Sequence, residues 1–229
     1  MKRPKGYPKI TVLICALNEA ESLPYVLPKI PSWVDEVLLV DGHSCDGTVE
    51  VVKKIRPEIK ILCQPGKGKG DALKYGVQQA TGDIVVTLDA DGETDSADIP
   101  RFIEPLILGA DFAKGTRLTR GSPQNMPWHR WVGNKILTIT CNILSGSKYT
   151  DVCSGYNAFW KRAFLRLNVR HSNFEMEQEM LVRAKKLGLR VIEVEHQTSG
   201  RLNGKSKVSD VKQGLFDLTV IIKECLRPG

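Results

Sequence analysis

Apolar residues in the first half of the chain occur in short runs separated by amphipathic stretches. The runs, rich in β-branched residues, predict four strands, at 10–15, 36–40, 59–63 and 83–88. The stretches between them predict three helices, at 21–30, 46–55 and 70–80. Asp46 is positioned to act as the N-cap of the second helix. Because strands that alternate with helices usually pair in parallel, we expect an α/β fold with a mostly parallel central sheet flanked by helices.

The second half of the chain has a less regular pattern. It predicts strands at 111–115 and 190–195, helices at 128–144 and 174–187, and a strand or loop at 152–160. A polar, basic segment at 198–207 predicts a mobile loop. The last predicted helix, 210–225, carries an apolar stripe formed by Val211, Leu215, Leu218 and Ile222. We expect this stripe to pack on the domain, and docking on a membrane or a partner is the alternative.

Two aspartates follow the fourth predicted strand. On an extended chain, residues two apart point to the same side, so Asp89 and Asp91 leave the strand together. Glu93 adds a third carboxylate if the chain stays extended. Carboxylates this close repel one another unless a cation lies between them, and hard oxygen ligands suit Mg²⁺ or Mn²⁺. The alternative is a solvated turn, since Asp and Gly are common turn residues.

Polar loops also follow the first two predicted strands, at 16–19 and 41–44. The carboxyl ends of parallel strands meet at one edge of a sheet, where ligands bind, so these loops and the aspartates should converge there. The glycine- and lysine-rich segment 66–70 lacks the Ser or Thr that ends a Walker loop. It predicts a flexible basic loop before a helix that can steady a diphosphate, with a solvated turn as the alternative.

Composition and charge narrow the class of protein. Hydrophobic residues make up 41% of the 229 residues and charged residues 26%, which is typical of a globular domain. The net charge of +7 permits phosphate-bearing substrates, an anionic membrane surface or nucleic acid as partners. The sequence contains no basic stripe interleaved with aromatic residues, so nucleic acid is the least favoured of the three. No apolar stretch approaches the roughly 20 residues of a membrane span, and no secretory signal is present, so we expect a cytoplasmic protein.

The six cysteines contain no C-x-x-C pair and lie mostly in apolar segments, which predicts buried free thiols. The four histidines lack metal-ligand spacing, and no Gly-x-Ser-x-Gly elbow occurs, which argues against a serine hydrolase. Cationic side chains occur on three separated segments, at Arg117, at Arg130, and at 201–207. These cationic side chains suit a phosphate ligand. The alternative is that they are ordinary surface side chains in contact with water.

Seven motifs occur in the order found in family 2 glycosyltransferases. They are Ala16-Leu17-Asn18-Glu19, Val40-Asp41-Gly42-His43-Ser44 with Asp46-Gly47-Thr48, Gly68-Lys69-Gly70, Asp89-Ala90-Asp91, Gly115-Thr116-Arg117, Ser154-Gly155-Tyr156 and Gly204-Lys205-Ser206-Lys207. The chain most resembles the polyprenol-phosphate (dolichol-phosphate) mannosyl- or glucosyltransferases. The resemblance implies a Rossmann-like GT-A fold in a single catalytic domain, with a nucleotide-sugar half up to about residue 115 and an acceptor half after it. It also implies inverting transfer of a hexose from a nucleoside diphosphate sugar.

The resemblance further implies roles for individual residues. The donor-binding positions are Ala16, Leu17, Asn18, Glu19, Val40, Asp41, Ser44, Lys69, Asp89 and Ala90. The ligands of Mg²⁺ or Mn²⁺ are Asp89, Asp91 and Glu93. The catalytic positions are Asp91, Arg117 and Arg130. The acceptor side comprises Arg117, Arg130, Arg201, Ser206 and Lys207.

Several alternatives stay open at this point. The first loop departs from the usual Pro-x-Tyr-Asn-Glu, and Gly42 replaces a second acidic residue, so the donor base is not assigned. The expected acceptor is polyprenyl phosphate, which is already an anion and needs no general base. A saccharide hydroxyl is the alternative, and it requires a base for which Glu175, Glu177 and Glu179 are candidates.

Two other classes of function compete with transfer. A nucleotidyltransferase should have a glycine- and arginine-rich first loop, which is absent here. The second competing class is a non-catalytic module that binds nucleotide sugars. Many relatives carry transmembrane helices after the catalytic domain, and none follows here. We therefore expect peripheral docking at the inner face of the membrane, or a soluble fragment.

Overall fold

The computed structural model describes residues 7–118, 126–199 and 210–227. Seven strands form one sheet, and they are β1 (Ile10–Ala16), β2 (Glu36–Asp41), β3 (Lys60–Cys63), β4 (Ile84–Asp89), β5 (Phe112–Thr116), β6 (Asn157–Trp160) and β7 (Val191–Glu195). The helices are α1 (Leu23–Val26, continued by a 3₁₀ turn at Leu27–Lys29), α2 (Thr48–Ile55), α3 (Lys69–Gln79), α4 (Ile99–Ile107, after a 3₁₀ turn at Ser96–Asp98), α5 (Trp128–Ser145), α6 (Lys161–Leu167), α7 (Met176–Lys186) and α8 (Asp210–Leu226).

The strand order is β3-β2-β1-β4-β6-β5-β7. All neighbouring strands pair in parallel except β6, which is antiparallel to both β4 and β5. The prediction of a mostly parallel α/β sheet is therefore confirmed. In the pairing register Cys15 lies opposite Asp89, and Ala16 lies opposite Asp41. The carboxyl ends of β1, β2 and β4 consequently form one edge, as expected.

Alternating residues of the strands supply the two sides of the core. Along β1, Val12 and Ile14 pack on one face with residues of α1, α2 and α4, whereas Leu13 packs on the other face with residues of α3, α6 and α7. A third cluster lies where α5, α7 and α8 bury Leu137, Leu181 and Ile221 together, and Val191 of β7 packs against it. This three-helix layer carries one side of the cavity described below.

Several elements differ from the sequence-based expectation. The predicted helix at 21–30 is a four-residue α1 followed by a 3₁₀ turn, because Pro28 has no N–H to donate within a continuing helix. Helices α4 and α6 were not predicted, and the segment 152–160 is a loop followed by β6. The N-cap of α2 is Gly47 rather than Asp46, although an Asp46 carboxylate oxygen accepts the N–H of Thr48 at 3.0 Å.

The apolar stripe of α8 does not pack on the domain as a whole, so that expectation was wrong. Leu218 contributes to the third core cluster, but Val211, Leu215 and Ile222 are exposed. The opposite side of the helix turns inward instead, where Arg183 Nε donates to Glu224 Oε2 at 2.9 Å. The buried residues of this side are Asp217, Val220, Ile221 and Glu224.

All six cysteines are free thiols, as predicted, but only Cys141 is fully buried, and Cys45 and Cys63 are exposed. Among the residues that the structure describes, no helix combines the length and apolar character needed to cross a bilayer.

Candidate active site

A cavity of about 750 Å³ opens at the edge where β1, β2 and β4 end. Its first side is formed by the loops that follow these strands and by the beginning of α3. Its second side is formed by α5, the beginning of α7 and the beginning of α8. The cavity therefore lies between the two halves of the chain for which the resemblance implies donor and acceptor binding.

Most of the predicted site residues lie together in this cavity. Those that line it are Ala16, Leu17, Glu19, Lys69, Asp89, Ala90, Asp91, Glu93, Arg117 and Arg130. Arg201, Ser206 and Lys207 lie outside the described residues.

Three predicted donor-binding residues have other contacts. The backbone N–H of Asn18 donates to Ser44 Oγ, and Asn18 Oδ1 accepts the N–H of Cys45, both at 2.8 Å. Asn18 and Ser44 thus connect the loops after β1 and β2. Val40 is fully buried beneath α3, where its side chain packs in the core, so only its backbone is at the strand end beside Asp41. The alternation of side chains along β2 explains this, because Val40 points into the core and Asp41 lies at the strand end.

Asp41 lies beside the cavity with one carboxylate oxygen unsatisfied. Its Oδ2 accepts the backbone N–H groups of His43 and Ser44, both at 3.0 Å. Its Oδ1 is buried and has no hydrogen-bond partner among the described residues. Because an unpaired buried carboxylate oxygen is costly, this atom is suited to accept an N–H from a ligand.

Lys69 and Asp89 form an ion pair at the floor of the cavity, with Lys69 Nζ 2.5 Å from Asp89 Oδ1. Burial alone lowers the pKa of the Lys69 ammonium, but the charges of Asp89 and Glu177 outweigh burial and raise this pKa. Burial opposes the ionisation of Asp89, yet Lys69 keeps the pKa of that carboxyl below its usual range. Lys69 thus supplies a cation beside Asp89, which relieves the repulsion between the neighbouring carboxylates.

The segment 66–70 is more tightly packed than the flexible loop that its composition predicts. Helix α3 begins at Lys69, directly after Gly68, whose φ is 93°. A Cβ on Gly68 would lie 2.3 Å from Ser172 O, and one on Gly70 would lie 2.7 Å from His171 O. The N–H of Asp71 also donates to Ser172 O, at 3.1 Å. The glycines therefore allow the start of α3 to approach the chain that leads into α7.

The chain turns after Asp91, so the condition under which Glu93 follows Asp89 and Asp91 on one side of an extended chain is not met. Gly92 has a φ of 76°, and the N–H of Glu93 donates to Asp91 Oδ1 at 3.0 Å. A glycine is favoured at this left-handed position because it has no Cβ. Glu93 nevertheless lines the cavity with Asp91.

Arg117 is held by a carboxylate that was not singled out from the sequence. Its Nε lies 2.7 Å from Asp151 Oδ2, and its Nη2 lies 3.1 Å from Asp151 Oδ1. Asn134 Nδ2 donates to the same Oδ1 at 2.8 Å. Although burial opposes both charges, their mutual attraction raises the pKa of Arg117 and holds that of Asp151 well below its usual range. Both groups are therefore ionised at neutral pH.

The three candidate bases on α7 differ in their surroundings. Glu179 is fully buried and accepts the N–H groups of Arg170 and His171, which makes it structural. Glu177 lines the cavity, where it accepts from Lys114 Nζ at 3.1 Å and from Asn157 Nδ2 at 3.0 Å. Glu175 accepts from Gln213 at 3.2 Å. Only Glu177 therefore combines cavity exposure with a charged partner.

Two further titratable residues, one in the cavity and one against the Ser-Gly-Tyr motif, were missed because each comes from a distant segment. Burial raises the pKa of Asp217, which lines the cavity from α8, to about 6. Burial, and next the charge of Arg117, lower the pKa of His196 to about 4. His196 Nε2 lies 3.0 Å from Ser154 Oγ, within the Ser-Gly-Tyr motif. No local sequence pattern marks either residue.

Asp89, Asp91 and Glu93 bring carboxylate oxygens, which a hard divalent cation prefers, to the cavity, but among the described residues these three do not come together as one compact ligand group. Asp91 and Glu93 are both carboxylates on one wall, and the Lys69 ion pair already offsets the charge of Asp89. Within the described part of the chain, the group of three such side chains whose ligand atoms all lie within 4.8 Å of one another is His171, Glu179 and Glu224, away from the cavity carboxylates. There Arg183 Nε lies 3.0 Å from Glu179 and 2.9 Å from Glu224 and supplies the positive charge itself.

Comparison with a solved structure identifies the fold. Glucosyl-3-phosphoglycerate synthase from Mycobacterium tuberculosis, in complex with Mn²⁺, UDP and glucosyl-3-phosphoglycerate, is similar to this chain with a TM-score of 0.75 and 18% sequence identity. The similarity covers 100% of this chain and 88% of that one. The expected GT-A fold is therefore confirmed.

Sequence comparison identifies the family. Another glycosyltransferase of Mycobacterium tuberculosis is 35% identical over 207 residues, which cover 90% of this chain and 92% of that protein. The undecaprenyl-phosphate mannosyltransferase of Micrococcus luteus is 29% identical over 219 residues, covering 88% of each. Residues 11–167 match the sequence profile of Glycosyl transferase family 2. The chain therefore belongs to glycosyltransferase family 2.

Proposed function

We propose that this glycosyltransferase moves a hexose from a GDP- or UDP-sugar to polyprenyl phosphate, with Mg²⁺ or Mn²⁺ as its cofactor. The observation that carries the proposal is one cavity that has carboxylates after β1 and β4 on one side and Arg117 and Arg130 on the other. A relative that acts on undecaprenyl phosphate supports the acceptor class. A structural neighbour solved with Mn²⁺ and UDP supports the donor class and the metal.

In this proposal the donor's nucleoside lies against the loops after β1 and β2. The unsatisfied Oδ1 of Asp41 accepts an imide N–H, a group that both uracil and guanine present. Lys69 lies at the beginning of α3, where an ammonium and the positive end of a helix both favour a diphosphate. Because both bases offer this N–H, Asp41 by itself does not choose between GDP and UDP.

Asp91 and Glu93 would hold the metal, since both line the cavity beside the Lys69–Asp89 pair. When bound there, a divalent ion offsets the negative charge that builds on the departing diphosphate. Lys69 contributes to the same task from the protein, because its ammonium stays charged at neutral pH.

The acceptor phosphate lies against Arg117, which Asp151 holds in one orientation. An oxygen of this phosphate forms a bond to the anomeric carbon while the bond from that carbon to the diphosphate oxygen breaks. The electron pair of the broken bond leaves with the nucleoside diphosphate. Because the attacking oxygen is already an anion, no proton has to be removed, and the arginines need only position it.

A second candidate function keeps the donor site but transfers the sugar to a saccharide hydroxyl. The observation that favours it is the presence of Glu177 and Asp217 in the cavity. A hydroxyl acceptor needs a general base, and the pKa of Asp217, about 6, is suitable for that role. The acceptor therefore distinguishes the two candidates.

One experiment tests donor, metal and acceptor together. Thermal shift with GDP- and UDP-sugars, with and without Mn²⁺, should show one donor that raises the melting temperature in a metal-dependent way, because ligands that bind only the native state stabilise it. That donor, labelled in its sugar, is then incubated with polyprenyl phosphate or with saccharides. Label in the organic phase supports the proposal, and label only in saccharide products contradicts it.

Asp91→Asn tests the metal site within the same assay. The amide oxygen still accepts the N–H of Glu93, so the turn is retained while a charged ligand is lost. We expect the metal-dependent part of the thermal shift and at least about 99% of transfer to disappear. Glu104→Gln, on the exposed face of α4, is the matched control and should behave as the unmodified protein. Near-normal turnover of Asp91→Asn would rule out this metal site.

A further inference from the structure

Helix α5 presents an unbroken apolar stripe to solvent. Its members follow one another at spacings of three or four residues, which places them on one side of a helix. They are Trp128, Val132, Ile136, Ile139 and Ile143, and the last is 75% exposed. Asn134, Leu137 and Cys141, on the other side of the helix, are buried. The stripe is therefore additional to the core-packing surface of α5.

Helix α8 repeats this arrangement next to α5. The two helices pack on one another, and both contribute to the third core cluster through Leu137, Cys141 and Ile221. Four of the exposed apolar residues of α8 also share one side of the helix, and they are Val211, Leu215, Ile222 and Leu226, while the exposed Phe216 lies to the side of this stripe. We call the two stripes together the α5–α8 face. Apolar surfaces of this extent are uncommon on proteins that act alone in water and mark interaction sites.

The charged side chains of α5, and the exposed ones among residues 211–227, are all basic. Helix α5 contains no Asp or Glu, and it carries Arg130 and Lys135. On α8 the exposed charged residues among 211–227 are Lys212, Lys223 and Arg227. Asp217 and Glu224 of the same helix are buried. An apolar surface with basic side chains at its margin complements the interface of an anionic bilayer.

The α5–α8 face is continuous with the acceptor side of the cavity. Helix α5 lines the cavity through His129, Arg130 and Gly133, and α8 lines it through Gln213 and Gly214. A surface that rests on lipid through these helices would hold the cavity mouth close to the headgroups. An acceptor whose chain stays in the bilayer could then extend its phosphate into the cavity without leaving the membrane.

We propose that the α5–α8 face docks this enzyme on the surface of an anionic phospholipid bilayer, so that a lipid-borne acceptor enters the cavity at the beginnings of α5 and α8. This inference deepens the proposed function and rests on it for the identity of the acceptor. Docking itself is independent of catalysis and can be measured without donor or acceptor. A second copy of the chain and another protein are the competing occupants of the face.

Vesicle binding is the direct test. The protein is sedimented with vesicles of phosphatidylglycerol and phosphatidylcholine, or of phosphatidylcholine alone. We expect binding to the anionic vesicles, weakened by added salt, and at least about tenfold weaker binding to neutral vesicles. Ile143→Glu and Leu215→Glu should each lower the partition onto anionic vesicles by about tenfold or more. Leu108→Glu, at an equally exposed apolar residue after α4, should leave it unchanged.

Charge reversal tests the basic margin separately. Lys223→Glu on α8 should reduce binding to anionic vesicles severalfold, whereas Lys54→Glu on the exposed side of α2 should not. Equal effects of the two reversals would indicate general electrostatic attraction and would contradict a specific face. No binding of the unmodified protein to anionic vesicles would also overturn the proposal. So would a dimer in solution that Ile143→Glu converts to monomer in the absence of vesicle binding.

Activity assays separate failure of docking from failure of the proposed function. With long-chain polyprenyl phosphate in vesicles, Ile143→Glu should lose most transfer. With a short, water-soluble prenyl phosphate it should retain the rate of the unmodified protein, because Ile143 does not line the cavity. Transfer to the short acceptor without vesicle binding would contradict docking and would still support polyprenyl phosphate as the acceptor class. Vesicle binding with transfer only to saccharides would support docking and would contradict polyprenyl phosphate as the acceptor.

Discussion

Arg117 and Asp151 form a two-point ion pair in which both carboxylate oxygens contact the guanidinium, at 2.7 and 3.1 Å. Asp151 is fully buried, and Asn134 and the N–H of Cys153 also donate to its Oδ1. This network holds the arginine in one orientation at the wall of the cavity. The pair uses only part of the guanidinium's hydrogen-bonding capacity, so Arg117 can also donate to a phosphate.

Asp151→Asn should remove the charge that holds Arg117 while preserving the shape of the side chain. We expect the free energy of unfolding to fall by about 3 kcal/mol, since one member of a buried pair is left without its counter-charge. We also expect the KM for the phosphate acceptor to rise about tenfold, with the KM for the donor little changed. Chemical denaturation and steady-state kinetics measure the two effects.

Asp98→Asn is the control for Asp151→Asn. Asp98, in the 3₁₀ turn before α4, pairs at 2.8 Å with Arg101, which is exposed, and its loss should cost less than about 1 kcal/mol. Equal destabilisation by the two variants would contradict an ordered Arg117–Asp151 pair. A donor KM that rises as much as the acceptor KM would contradict the acceptor-side role of Arg117.

Gly155→Ala should weaken donor binding without unfolding the protein. A Cβ at this position would lie 2.5 Å from Lys69 Nζ and 2.7 Å from Asp89 Oδ2. Both atoms are ends of side chains that can move, so the cost to stability should be within about 1 kcal/mol. The displaced ion pair should lower donor affinity by about tenfold, as measured by calorimetry.

Gly115→Ala provides the matched contrast. Its added Cβ would lie 2.5 Å from the carbonyl oxygen of Tyr156, which belongs to the backbone and cannot move freely. This variant should therefore lose about 2 kcal/mol or more of stability. Unchanged donor affinity in Gly155→Ala would show that the Lys69–Asp89 geometry does not matter for the donor.

Asp41→Asn should weaken binding of the nucleotide sugar, because it replaces a hydrogen-bond-accepting carboxylate oxygen by a hydrogen-bond-donating amide nitrogen. The amide oxygen can still accept the N–H groups of His43 and Ser44, so the loop should keep its conformation. The amide nitrogen would then face the imide N–H of the base, and donor affinity should fall by about tenfold to a hundredfold. Asp95→Asn, which caps the 3₁₀ turn before α4 away from the cavity, should have no effect on affinity. A donor Kd for Asp41→Asn equal to that of the unmodified protein would disprove the contact.

His196 should make the native state sensitive to mild acid. Burial and the charge of Arg117 lower its pKa from 6.5 to about 4, so the unfolded chain takes up a proton at a higher pH than the native state does. Stability should therefore fall as the pH drops from about 7 to about 4, by up to about 3 kcal/mol from this residue. His196→Gln should remove this loss, as measured by denaturation at several pH values.

Asp217 should change the free energy of unfolding with pH in the opposite direction to His196, and it therefore serves as the comparison for His196. Burial raises its pKa from 3.8 to about 6, so the native state takes up this proton first. Its contribution to stability should rise as the pH drops from about 6 to about 4, by up to about 3 kcal/mol. In Asp217→Asn this gain is absent, so stability should fall more steeply with acid than in the unmodified protein. Parallel pH profiles for the two variants would contradict both assignments.

Local patterns in the sequence were sufficient for the parallel sheet and its active edge. The alternation of apolar runs and amphipathic stretches depends on nearest neighbours, and it predicted β1 to β4 to within about two residues. Because parallel strands end at one edge, it also followed that the loops after β1, β2 and β4 meet. Glu93 shows the limit of this reasoning, since Gly92 turns the chain that the extended pattern would have continued.

The partners of the charged residues were decided by the tertiary structure alone. Lys69 meets Asp89 across 20 positions of sequence, and Arg117 meets Asp151 across 34. Such pairs depend on how separate elements pack, and no local period records them. The same holds for α8, whose repeat of apolar residues predicts a helix but not its orientation. Packing against α5 and α7 buried the side with Asp217 and Glu224, because Arg183 pairs with Glu224 there, and left the apolar stripe exposed.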